Sequence, residues 1–153
     1  LTPQTIAWGT SGMRTYVNNI PGYPTGGTDM TDGMAKAYES LSASSETTAH
    51  TAAGNTTFSK FILLMTDGEN TGNSSHWNAT LDEETLKTCI DARAAGMTIY
   101  AVAFMAPPKG EALLRACAHK SDNYYSANDM DSLIEAFAEI GAKATKQSTR
   151  ITN

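Results

Sequence analysis

Asp67 is the residue with the clearest chemical opportunity in this chain. It follows directly on the apolar run Phe61-Ile62-Leu63-Leu64-Met65 and opens a polar stretch to Thr80 that also holds Gly68, Glu69, Asn70, His76 and Trp77. In an open parallel sheet the crevice beyond the carboxyl ends of the strands is where ligands bind, and a carboxylate there can hold a hard cation. Taken alone, Asp67-Gly68 also reads as a turn dipeptide with Glu69 and Asn70 solvated. A second candidate is Gly26-Gly27-Thr28-Asp29. Its glycines permit a tight backbone path, and Thr28 presents a hydroxyl at a helix start. Such a hydroxyl can ligate Mg²⁺, or it can be a plain N-cap that satisfies one orphan amide.

Other constellations offer less. His50, His76 and His119 lie in separate segments without the i, i+4 spacing of a helical zinc pair. Gly9-Thr10-Ser11-Gly12 lacks the strand and second glycine of a nucleophile elbow, which leaves Ser11 as a loop or helix-start residue. Asp67 and Glu69 could hold Mg²⁺ for phosphoryl chemistry, but no nucleophile, base or phosphate-binding Lys accompanies them. Asn55-Thr56-Thr57 and Asn78-Ala79-Thr80 match the glycosylation acceptor pattern and mark exposed loops. Cys89 and Cys117 are compatible with two buried thiols or with one bridge between helices.

These residues must be positioned by a single small domain. The chain has 153 residues, 41% hydrophobic, with 11 Lys+Arg against 16 Asp+Glu for a formal charge of −5. That is enough apolar content for one core, and too little clustered positive charge for nucleic-acid phosphates or an anionic membrane. No apolar run approaches the ~20 residues that cross a bilayer.

The run from Phe61 to Met65, stopped by Thr66-Asp67-Gly68, predicts a central parallel strand buried on both faces. Leu86, Cys89, Ile90, Arg93 and Ala94 share one helical stripe, and Gly96 stands at its C-terminal cap position. Met97 to Phe104 returns to β-branched and aromatic residues, so residues 60–104 predict strand, helix, strand with parallel pairing. Upstream, Met30, Met34, Ala37, Tyr38 and Leu41 predict a helix over 28–41 with Thr28 as N-cap. Residues 1–27 form a lead-in and glycine loop that includes the turn-prone Pro21 to Gly27. Residues 42–59, rich in Ser and Thr, predict a flexible loop. Residues 110–147 predict two helices around a brief Asn123 to Ser126 strand. The last carries Met130, Leu133, Ile134, Phe137 and Ile140, with Asn128 or Asp129 as N-cap, and from Thr145 it fades into a fraying tail.

Gly-Gly-Thr opening a helix, followed by an apolar strand ending in Leu-Met-Thr-Asp-Gly-Glu-Asn, resembles the later half of a von Willebrand factor A domain. The segments Phe61 to Asn70, Cys89 with Ala95 to Phe104, Leu113 to Ala118 and Tyr124 to Ala127 are similar to the TadG-like proteins of bacterial tight-adherence (Tad) pilus assembly. The resemblance implies a doubly wound, mainly parallel α/β sheet with helices on both faces. It implies a non-enzymatic adhesion or assembly domain, outside the cytoplasm, with Cys89 and Cys117 as a disulfide. It also implies that Thr28 and Asp67 are ligands of a metal-ion-dependent adhesion site holding Mg²⁺ or Mn²⁺, with Gly26, Gly27, Asp29, Gly68, Glu69 and Asn70 forming the loop that meets a protein partner's acidic side chain.

The family's opening Asp-x-Ser-x-Ser does not occur in the chain. The first central strand and its ligands are therefore expected upstream of Leu1, making 1–153 a single, N-terminally truncated domain whose membrane anchor lies elsewhere and whose cation affinity is weak. The flank of strand 61–65 would then be left unpaired and apolar.

Overall fold

The computed structural model describes residues 11–23 and 26–149. The expectations for residues 1–10, 24–25 and 150–153 lie outside the described residues. In chain order the elements are α1 (Ser11–Asn18), α2 (Thr31–Ser42), α3 (Ser44–Ala52), β1 (Phe61–Thr66), α4 (Ala79–Ala94), β2 (Thr98–Phe104), α5 (Pro108–Ala118), a 3₁₀ turn (Ser121–Asn123), β3 (Tyr124–Ala127) and α6 (Met130–Thr149). Ser11, expected in a loop or at a helix start, opens α1.

The three strands form a parallel sheet in the order β1-β2-β3. Phe61 pairs with Thr98 and Thr66 with Ala103; Ala101 pairs with Tyr124 and Phe104 with Ala127. Side chains alternate across a strand, which sorts β1 and β2 onto two faces. On one face Ile62 and Ile99 join Met30 just before α2, Met34 of α2, Cys89 and Ala92 of α4, and Leu113 and Cys117 of α5 in the main core. Ala101 and Ala103 carry that core onward to Leu114 and Ala118. On the other face Tyr100 and Val102 pack against Ile140 of α6, flanked by Phe61, Tyr125 and Leu133. Helices cover both faces, which is the doubly wound α/β arrangement.

Several expectations need correction. The central strand is β2, whose residues Ile99 to Ala103 are all buried, and β1 is an edge strand with Leu63 and Met65 exposed. An unbroken apolar run looks the same whether one or both of its faces are covered. On α4 the stripe facing the core is Thr85, Cys89 and Ala92, while Ile90 points outward, because small residues let the helix lie close to its neighbours. Residues 42–59 are not all loop: α3 occupies Ser44–Ala52. It buries no residue, so no apolar period announced it, and Thr48 and Thr51 turn their hydroxyls onto the carbonyls of Ser44 and Thr47.

Caps behave more locally. Gly96, at φ 82°, ends α4, with its N–H donating to Arg93 O and the N–H of Met97 donating to Ala92 O, the paired bonds of a Schellman ending. Asp129 Oδ1 accepts the Ser132 N–H at 2.8 Å and starts α6 as expected. Cys89 of α4 and Cys117 of α5 are joined in a disulfide with a Cα–Cα distance of 5.2 Å. No helix among the described residues is long and apolar enough to cross a membrane.

Candidate functional site

Parallel pairing puts the carboxyl ends of all three strands at one rim, and Asp67 is the first residue beyond β1 there. The chain cannot run straight on. The Gly68 N–H turns back and donates to Thr66 Oγ1 at 3.1 Å, which leaves the Asp67 side chain exposed.

The glycine loop before α2 is laced to the segment after β1 by backbone bonds. Thr28 O accepts from the N–H groups of Thr71 at 2.9 Å and Gly72 at 3.0 Å, and the Thr28 N–H donates to Thr71 Oγ1 at 3.2 Å. The Thr28 backbone is held at both its N–H and its carbonyl. Its hydroxyl lies toward Gly68: a β-carbon added to Gly68 would stand 2.6 Å from Thr28 Oγ1. Gly68 is thus required as a glycine by the neighbouring hydroxyl. Gly110, buried in the first turns of α5, is required in the same way by the carbonyl oxygen of Gly68. Thr28, Gly68 and the start of α5 meet at one point of the rim, one residue from Asp67.

Thr28 is not the N-cap of α2, which begins three residues later. Asp29 takes the cap's work, with Oδ1 accepting from the Thr31 N–H at 2.9 Å and from its hydroxyl at 2.6 Å. The Thr28 hydroxyl is thereby left free of the role the sequence suggested for it.

Asn70 also departs from expectation. It is 0% exposed and cannot meet a partner. Its Oδ1 accepts from the Met30 N–H at 2.9 Å, and its Nδ2 donates to Asp82 Oδ1 at 2.9 Å and Thr85 Oγ1 at 3.3 Å. The residue braces the starts of α2 and α4 against the rim. Asp82 in turn accepts from Trp77 Nε1 at 2.7 Å, and Lys109 Nζ sits 3.9 Å above the Trp77 ring. Trp77 therefore links α4 to α5 at the edge of the rim.

The residues offered outward are Gly26, Gly27, Asp29 and Asp67, with Thr28, Gly68 and Glu69 half-buried among them. These are oxygen donors, the set that suits a hard cation. Among the described residues no three His, Cys, Asp or Glu side chains converge as a metal cluster. Sequence reasoning missed Thr71, Asp82, Thr85 and Gly110. Only Gly110 carried a signal, as a glycine inside a helix.

The family model of the von Willebrand factor type A domain matches residues 7–139 of the chain. No curated protein matches it.

Proposed function

Because this chain belongs to the von Willebrand factor type A domain family, whose members are in general modules of protein interaction rather than enzymes, we propose that its rim binds a protein partner through a divalent cation. Thr28 and Asp67 would hold Mg²⁺ or Mn²⁺, and the ion, when bound, supplies an open coordination position for an acidic side chain of the partner. The observation that carries this reading is the approach of the Thr28 hydroxyl to Gly68, immediately beside the exposed Asp67. One hydroxyl and one carboxylate leave most of a near-octahedral shell to water, so the affinity of these residues alone is weak. Gly26, Gly27, Asp29, Gly68 and Glu69 form the surface around the ion.

The finer setting is the TadG-like group, in a Tad-type pilus or envelope assembly outside the cytoplasm. The disulfide supports an oxidising compartment. Calorimetry with Mn²⁺ on the protein tests the site. We expect binding that Asp67→Ala abolishes while changing stability by less than about 0.5 kcal/mol, since the side chain is exposed. Absence of any heat of binding in the unmodified domain would leave the rim as a packing surface with a vestigial site.

A further inference from the structure

At the opposite end of the sheet from Asp67, where β2 begins, lies a hollow of about 440 Å³ between the C-terminal ends of α4 and α5. We propose that it binds a carboxylate, as a monoanion carried on a small apolar group.

The lining contains Arg93, His119 and Lys120 and not one Asp or Glu, in a chain whose acidic residues outnumber its basic ones. Arg93 Nη1 donates to Ala116 O at 3.1 Å and Cys117 O at 2.6 Å, which answers the exposed carbonyls at the end of α5 and fixes the guanidinium on the wall. The side chains of Thr98, His119, Lys120 and Asn123 have no hydrogen-bond or ion-pair partner among the described residues. His119 holds φ 63°, a conformation that a non-glycine residue rarely adopts. Its N–H is pinned to Arg115 O at 3.0 Å, two residues from the disulfide. Buried Met97 and Ile99 give the hollow an apolar floor.

Charge selects the ligand. Arg93 and Lys120 contribute two positive charges, and each of the two helix C-termini contributes roughly half a negative one. The net is about one positive charge, which matches a carboxylate better than a phosphate dianion.

The site shares no residue with the rim, so it is tested in EDTA, where cation binding plays no part. Amide shifts of the ¹⁵N-labelled chain are followed while butyrate, inorganic phosphate, and an apolar tetrapeptide with a free or an amidated C-terminus are added at low salt. Butyrate and the free peptide should produce saturable shifts confined to residues 93–99 and 118–123, with phosphate weaker and the amidated peptide silent. Tighter binding of the free peptide than of butyrate identifies a chain terminus as the source; equal binding identifies a small free acid. Lys120→Glu, on the surface, should weaken binding about tenfold with an unchanged melting temperature, as expected for loss of one charge-assisted contact. Lys36→Glu, on the exposed surface of α2 and outside the lining, should have no effect. Absence of saturable shifts, phosphate binding tighter than butyrate, or unaltered affinity in Lys120→Glu overturns the proposal.

Discussion

Asn70 stands where three segments cross, and its amide is satisfied on both sides: its oxygen accepts from the Met30 N–H just before α2 and its nitrogen donates to α4. Truncation to Ala would strand the buried Met30 N–H and empty its site, so Asn70→Ala should lower stability by about 2–3 kcal/mol in urea melts. Asp67, three residues earlier and exposed, should tolerate the same change. The two lie in one short motif, and nothing in their types separates strut from ligand; only burial does. Gly68 and Gly110 differ in a related way. A methyl at Gly68 meets the Thr28 hydroxyl, which can yield only by leaving its place at the rim, whereas one at Gly110 meets the backbone of Gly68. Gly110→Ala should therefore cost more stability than Gly68→Ala, while Gly68→Ala should be the more damaging to cation binding. Thermal melts beside Mn²⁺ titration distinguish the two.

Among the elements, α4 and α5 are tied twice, by the disulfide and by Arg93 reaching the last carbonyls of α5. Closing a loop across a sequence separation of 28 stabilises the fold by about 3–4 kcal/mol in the chain-entropy account. Reduction should lower the unfolding free energy by that order, and equilibrium denaturant unfolding with and without reductant measures it. At the start of α6 the Asp129 carboxyl is held below its usual range, chiefly by the Ser132 hydroxyl and then by its backbone N–H. A depressed carboxyl pKa supports the folded form above the ordinary carboxylate range and loses that support as pH falls through the lowered value. The amide protection of the first α6 turn should therefore drop in acid, and Ser132→Ala should blunt that pH dependence. This cap was legible, because capping is a contact between residues a few positions apart. The helix α3 was not, because it has no apolar face and its stability is local hydrogen bonding.

At the scale of the whole molecule, no strand among the described residues pairs with the outer flank of β1. Leu63 and Met65 of the edge strand are 43% and 41% exposed. On α6, Met130, Ile134 and Phe137 form an exposed stripe beside the buried Ala136 and Ile140 and the half-buried Leu133. Lys143, bonded to Tyr125 Oη at 2.8 Å, marks the α6 flank over β3, so the apolar stripe lies on the flank toward β1. An uncovered apolar strand edge associates readily with other chains. The isolated chain should therefore self-associate with rising concentration in sedimentation analysis, and Met65→Lys with Ile134→Glu should suppress this without unfolding it.

Local information determined most of the element list: the apolar run of β1, the glycine stop of α4, the Asp129 cap and the parallel strand–helix–strand unit all follow from periodicity and turn chemistry within a few residues. Tertiary structure decided which strand became central, which face of α4 and α6 was covered, that Asn70 is buried while Asp67 is not, and that Cys89 and Cys117 come within bonding reach. Those outcomes depend on contacts between segments tens of residues apart. A side chain's type limits what it can bond to, but its burial is set by whichever distant surface arrives against it.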